Sequence, residues 1–170
     1  MVMDDDDIFD DEEEDSLDNT FLTFKVAGED YAVGVCHVTE IVRVQKAYLV
    51  PDAPPCIQGV INLRGKVVPL LDVRNRFGLP TVEYNDRTLI VVVELHDALT
   101  GLVVDSVCDV VEIPDEDIES TSDKRAPGGN RVVHRLGKRA DGVSFIVDVY
   151  RLLDLSEWEE RRPALSSSLS

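Results

Sequence analysis

Eight short runs of apolar, mostly β-branched residues recur along the chain. They are TFLTFKV (20–26), DYAVGV (30–35), EIVRV (40–44), IQGVINL (57–63), KVVPLLD (66–72), RTLIVVVEL (87–95), GLVVDSV (101–107) and VVEI (110–113). Gly, Pro, Asp or Asn stops each run. Short β-branched segments between turn formers predict strands, and their close spacing predicts small-barrel architecture. Gly28-Glu29-Asp30 predicts a hairpin-type turn. Pro51, Pro54 and Pro55 predict an irregular loop, because proline cannot donate to a sheet ladder. Helical signals are few: VRNRFGL after Asp72, VYRLLDL after Asp148, and a brief stretch near residues 36–40.

The pattern also repeats. VCHVTEIVRV (35–44) aligns with VDSVCDVVEI (104–113), apolar on apolar, with Glu40 opposite Asp109. PLLDVRNRF (69–77) aligns with FIVDVYRLL (145–153), each a strand, then Asp-Val, then a short helix. The offsets are 69 and 76, so the second copy holds about seven extra residues, assigned to the turn-rich DKRAPGGN loop (123–130). Two similar β units in one chain follow. Asp72 and Asp148 occupy equivalent positions before the helices, where a carboxylate accepts from free N–H groups as a cap.

One stretch stands apart. GVINLRGKVVPLLD (59–72) reads as a buried strand pair, yet it holds Asn62 and Arg64 beside Gly65. Asn62 and Gly65 are turn formers, which puts Leu63-Arg64 at or beside a hairpin. Arg64 then has three possible roles. It points into water; it forms a bidentate pair with Glu40; or it is a recognition residue ringed by apolar Val38, Ile41, Val60 and Leu63. The last two are compatible, since an oriented arginine is preorganised for a partner.

Charge narrows the partners. The chain has 170 residues, a formal net charge of -17 and a sequence pI near 4.4. Such a chain does not suit nucleic acid or an anionic membrane surface. Residues 1–18 hold 11 of the acids and no base, leaving about -6 for the rest. A block of like charge is expected to stay disordered and solvated. A sharper reading makes it an acidic arm that competes for a basic site on a partner. The C-terminal residues 163–170 are expected to fray. No secretory signal and no run long enough to span a membrane is visible. The three cysteines, Cys36, Cys56 and Cys108, lack CxxC spacing and read as reduced cytosolic thiols.

Catalytic, cofactor and metal signatures are missing. His37, His96 and His134 are far apart, without HxxxH, HExxH or Cys/His spacing, and no GxSxG or Walker loop occurs. Asp72 or Asp105 would serve a small acidic hydrolase only with a base or metal beside it. Asp105 reads as a strand-end residue or a polar group at a partner surface.

VTEIVRV, then VPDAPPCIQGVINLRGKVVPLLDVRNRFGL, then the YNDRT turn (84–88), then GLVVDSVCDVVEI together resemble the CheW family of chemotaxis coupling proteins. The likeness runs from about residue 20 to about 155. It implies a mainly β fold of two SH3-like five-stranded barrels with one or two short helices. The expected division is a tail over 1–18, a CheW-like domain over 19–155 and a tail over 156–170. Within the domain, one barrel lies mainly over 30–85 and one mainly over 86–148, with exchanged terminal strands. The family implies a non-catalytic, cytoplasmic adaptor with no cofactor or metal and no membrane insertion, held at receptor arrays through its partners. Those partners are the helical hairpin at a chemoreceptor's cytoplasmic tip and the regulatory domain of the kinase CheA, with room for ring assembly with CheA or CheW. An adaptor for a non-chemotaxis kinase pathway is the alternative. By resemblance the receptor groove maps onto Val38, Glu40, Ile41, Gly59, Val60, Leu63 and Arg64, with Gly59 admitting a close helix. The kinase contact maps onto Gly101, Val103 and Asp105. Arg135 stands where the pattern would place a glycine.

Overall fold

A computed structural model describes residues 18–120 and 132–155. The acidic tail up to residue 17, the 123–130 loop and the tail from 156 onward lie outside the described residues. The described chain forms β1 (Thr20–Val26), β2 (Glu29–Gly34), β3 (Val38–Arg43), β4 (Ile57–Leu63), β5 (Lys66–Asp72), α1 (Val73–Arg76), β6 (Leu89–Leu95), β7 (Ala98–Val104), β8 (Ser106–Glu112), β9 (Ile118–Ser120), β10 (Val133–Arg139), β11 (Gly142–Val147) and α2 (Val149–Leu152). The helical signal near 36–40 resolves into a 3-10 turn over Val35–His37, after which the chain is already strand.

Two-residue turns set the register. Val26 pairs Glu29, Leu63 pairs Lys66 and Leu95 pairs Ala98. The residues between them, Ala27-Gly28, Arg64-Gly65 and His96-Asp97, all have positive φ, from 52° to 85°. Two left-handed residues match the twist of the flanking strands. The first turn is therefore Ala27-Gly28, one residue earlier than the glycine-led reading. The predicted strand GLVVDSV is likewise divided: β7 ends at Val104, and β8 begins after Asp105.

The strands form a five-stranded sheet, β3-β6-β7-β5-β4, and a six-stranded sheet, β8-β1-β2-β11-β10-β9. Pairing is antiparallel except for β5 with β7 and β11 with β2. The two orders match element for element, with β9 added, so the repeat seen in the sequence is a repeat in space. The hairpin β1–β2 begins 69 residues before its counterpart β6–β7, and each lies in the sheet built from the other copy. The sheets are SH3-like in order but do not close into the expected five-stranded barrels. The edges of the first sheet, β3 and β4, do not pair directly; the segment after β3 bridges to β4 through Tyr48 and Val60, and a side-chain pair described below links β3 to the tip of the β4–β5 hairpin.

Three apolar cores result. Ile61, Leu63, Val68, Leu70, Ile90, Val92 and Val103 fill the first sheet's own core. Phe21, Ala32, Ile113 and Ile146 fill that of the second. The largest joins the sheets and includes Phe24, Tyr31, Leu71, Val91, Val93, Leu102 and Val147. Strand β6 thus buries both faces, Ile90 and Val92 one way and Val91 and Val93 the other. That is why LIVVVEL shows no polar alternation. Tyr31 is wholly buried, with its ring 5.1 Å from Phe77 and 5.8 Å from Phe24. Burial first, then nearby Glu29, pushes its phenol up to about 12.

Candidate functional site

The β4–β5 hairpin presents Arg64 at its tip. Asn62 Oδ1 accepts from the Gly65 N–H at 2.8 Å, which fixes the turn. Arg64 itself has φ of 53°, a conformation that a side chain tolerates only at some cost. Its guanidinium donates from Nη1 to Glu40 Oε1 at 3.0 Å and from Nη2 to Glu40 Oε2. The arginine of the INLRG stretch is therefore held in a bidentate fork by β3, across the open seam of the first sheet. The hydrogen bond from Arg64 is the main reason that Glu40 is held below the usual carboxylate range.

Around this pair the predicted receptor residues divide. Ile41 is 41% exposed, and Val38 and Val60 are half-buried. Leu63 turns inward and packs in the first sheet's core. Gly59 is buried, with φ of 143°, and a Cβ there would lie 2.6 Å from the Tyr48 carbonyl oxygen. The Tyr48 N–H and carbonyl each bond to Val60 at 2.8 Å. The space that Gly59 keeps open is thus filled by the chain's own residues 47–48, which corrects the expectation that it admits a partner helix. That same segment supplies apolar surface missed in the sequence: Tyr48, Leu49 and Val50 are exposed, Leu49 at 88%, and so is Val67. The prolines that follow mark this loop in the sequence, but nothing local shows which side chains face out.

The residues mapped to kinase contact lie mostly inside. Strand β7 is central in its sheet, with β6 on one side and β5 on the other. Gly101 is buried between Ile90 and Leu70, and Val103 is 4% exposed in the same core. Neither offers a contact surface, because a central strand has both edges paired and these positions point to the interior. Asp105 is half-exposed and engaged. Arg74 donates to it from Nη2 at 2.6 Å and from Nε at 3.0 Å, and the Ala27 N–H donates at 2.8 Å. Burial works to raise its pKa, but the Arg74 and Ala27 hydrogen bonds win and hold it below the usual range. Asp105 therefore ties α1 to the turn of the exchanged hairpin.

Asp72 accepts from the Asn75 N–H at 3.3 Å and from the Tyr84 hydroxyl at 3.0 Å. Asp148 accepts from the Arg151 N–H at 3.2 Å. Both act at the starts of their helices. The repeat brings together a further group that spacing does not reveal. Tyr150 of α2 has its ring 5.7 Å from His37 and 5.8 Å from His96. It occupies the place that Arg74 holds in the first copy. Among the described residues, no group of His, Cys, Asp and Glu is arranged to hold a metal ion, and no helix is long and apolar enough to cross a membrane.

Residues 20–157 match the CheW-like domain family. The chemotaxis protein CheW of Bacillus subtilis is 35% identical over 133 residues, covering 78% of this chain and 85% of that protein. The chemotaxis protein CheW of Klebsiella aerogenes is 29% identical over 143 residues, covering 84% of this chain and 86% of the relative. The crystal structure of the scaffolding protein TtCheW from Thermoanaerobacter tengcongensis superposes with a TM-score of 0.74 at 28% identity, over 81% of this chain and 93% of that one. The sequence motif, the paired SH3-like sheets and these similarities agree, and the chain belongs to the CheW-like family.

Proposed function

We propose that this chain is a non-catalytic adaptor in chemotaxis, coupling chemoreceptors to the histidine kinase CheA. The family match over residues 20–157 supports this reading of the whole domain. The observation that carries the receptor side is the Glu40–Arg64 fork beside exposed Ile41. An oriented guanidinium ringed by apolar area has hot-spot composition. In this reading an amphipathic helix of the receptor tip lies across Val38, Ile41 and Val60, and Arg64 and Glu40 give its polar register. Leu63 and Gly59 act from beneath, by fixing the hairpin and the 47–48 segment. Gly101 and Val103 act on any CheA contact only through the fold. The adaptor works in the cytoplasm and transmits receptor state by biasing populations, with no bond made or broken.

The test is titration of wild type, Arg64→Ala and Glu40→Arg with a receptor-tip hairpin fragment and, separately, with the CheA regulatory domain. The expected result is a loss of roughly tenfold or more in receptor affinity for both variants, as for a hot-spot residue, with kinase affinity unchanged. Unchanged receptor affinity in both variants overturns the groove assignment.

A further inference from the structure

The basic groups of this acidic chain are not evenly neutralised. Lys25 pairs with Asp30 at 2.9 Å and Lys138 with Glu119 at 2.9 Å. Arg74 pairs with Asp105. Between residues 38 and 68 there are four bases, Arg43, Lys46, Arg64 and Lys66, and two acids, Glu40 and Asp52. Glu40 is already taken by Arg64. Arg43, Lys46 and Lys66 have exposed side chains with no carboxylate partner among the described residues, as have the more isolated Arg87 and Arg135.

Lys46 and Lys66 flank the β4–β5 hairpin, and Arg43 lies on β3, the strand that Arg64 reaches through Glu40. Lys66 adjoins the hairpin tip and pairs with Leu63. Lys46 Nζ stands 5.6 Å from the Tyr48 ring, and Tyr48 bridges to Val60 of the same hairpin. Arg43 is two residues from Ile41 on β3, so the two point the same way. Ile41, Tyr48, Leu49 and Val67, on the same strands and the same 46–50 segment, are exposed. The face is therefore apolar with a basic rim, on a chain of net charge -17.

We infer that this face is the docking site of the chain's own acidic arm, residues 1–17. That segment, MVMDDDDIFDDEEEDSL, holds ten acids, no base and a central Ile8-Phe9 pair. Its charge complements the rim, and Ile8-Phe9 complements the exposed apolar patch. Length permits it. Seventeen residues reach at most about 60 Å when extended, whereas a domain of this size has a radius of gyration of about 15 Å. Its attachment point, Asp18, precedes β1 of the second sheet, and the tether gives a high local concentration at any face within reach. The arm competes with whatever partner uses the Glu40–Arg64 face. That consequence rests on the receptor reading above; the docking itself does not.

The test needs no receptor. Amine acylation rates are measured by peptide mapping at low salt, on the full chain and on a chain lacking residues 1–17. Lys46 and Lys66 are expected to react about threefold slower in the full chain, with Lys25 and Lys138 unchanged, and 0.5 M salt (roughly a 4 Å screening length) removes the difference. A carbodiimide, which joins carboxylates to amines in contact, links residues 4–15 to Lys46 and Lys66 within one copy. Equal rates at Lys46 and Lys66 with and without the arm overturn the inference. So does linkage mainly to Lys25 or Lys138, or between copies in a mixture of isotopically light and heavy protein.

Discussion

Gly101→Ala is a sharp test of the first sheet's core. Gly101 pairs with Val92 on one side and Leu70 on the other. A Cβ at this position would lie 2.6 Å from Ile90 Cγ2 and 2.8 Å from Leu70 Cδ2. Carbon contacts settle near 3.5–4.0 Å, so something must shift by roughly 1 Å. Ile90 is wholly buried and Leu70 nearly so, and the Ile90 methyl is on a β-branched carbon with little rotamer freedom. Overpacking of this kind costs about 1–3 kcal/mol. Restricting the unfolded chain offsets about 0.4–1 kcal/mol. The net loss is about 1–2 kcal/mol, or roughly 2–8 °C in Tm for a chain of this size. Urea denaturation followed by circular dichroism would measure it. Ile90→Ala alone should cost about 2–5 kcal/mol, but with Gly101→Ala present part of its cavity is filled. The double variant should then fall short of the sum by about 1 kcal/mol or more. Wild-type stability in Gly101→Ala, or strict additivity in the pair, would refute the packing argument. If Gly101→Ala weakens CheA binding well below its melting range, the fold-only account of this residue fails.

Other tests follow from the same geometry. The Tyr31 phenol is raised from 10.0 to about 12 in the folded chain, so its contribution is full below pH 10 and lost as pH rises toward 12. Tyr31→Phe lacks that loss, and the stability gap should move in its favour by about 1–2 kcal/mol between pH 10 and 11.5; a constant gap in alkaline urea titrations refutes it. Asp105 is depressed below its ordinary 3.8, so its contribution is present above that value and lost as pH falls through the folded pKa. The deficit of Asp105→Asn should therefore shrink under acid, and a deficit unchanged from pH 6 to pH 2.5 contradicts the Arg74 tether. Removing either helix cap by Asp72→Ala or Asp148→Ala should cost about 0.5–2 kcal/mol. Asp72→Ala should also let the Tyr84 phenol, now raised by burial and by Asp72, titrate lower in an ultraviolet phenolate titration.

The local parts of this fold were legible because local chemistry specifies them. Asn62-Leu63-Arg64-Gly65 encodes its own turn, whereas the Glu40 pair was one of three roles the sequence left open for Arg64, and the structure shows that pair formed. The Asp-Val-helix pattern specifies both caps within four residues. The inward Gly101 was not legible. Its neighbours Leu70 and Ile90 come from two other strands, one of them parallel, and no spacing in the sequence encodes that pairing. Strand β10 hides for a different reason. In VHRLGKR the exposed positions carry cations, and one core position is Gly137, where a Cβ would lie 2.8 Å from Ile113 Cδ1. The run lacks the apolar alternation by which strands are recognised. Barrel closure also escaped the sequence, since strand count does not say whether the last edge pairs.

The exchange of hairpins has a consequence for the order in which the chain can fold as it is made. The first sheet draws on residues 38–104 and can complete its pairing once β7 has emerged. The β1–β2 hairpin is made earlier than any of it, yet its partners β8 and β11 lie as far as residue 147. At 5–20 residues per second, that leaves about 6–23 s between the end of β2 and the last strand of its sheet. During that time Phe21 and Ala32 lack Ile146, their partner in the second sheet's own core. The second sheet is therefore the slow, high-contact-order half of the molecule, and a nascent chain stalled after β7 would hold one finished sheet and one waiting hairpin.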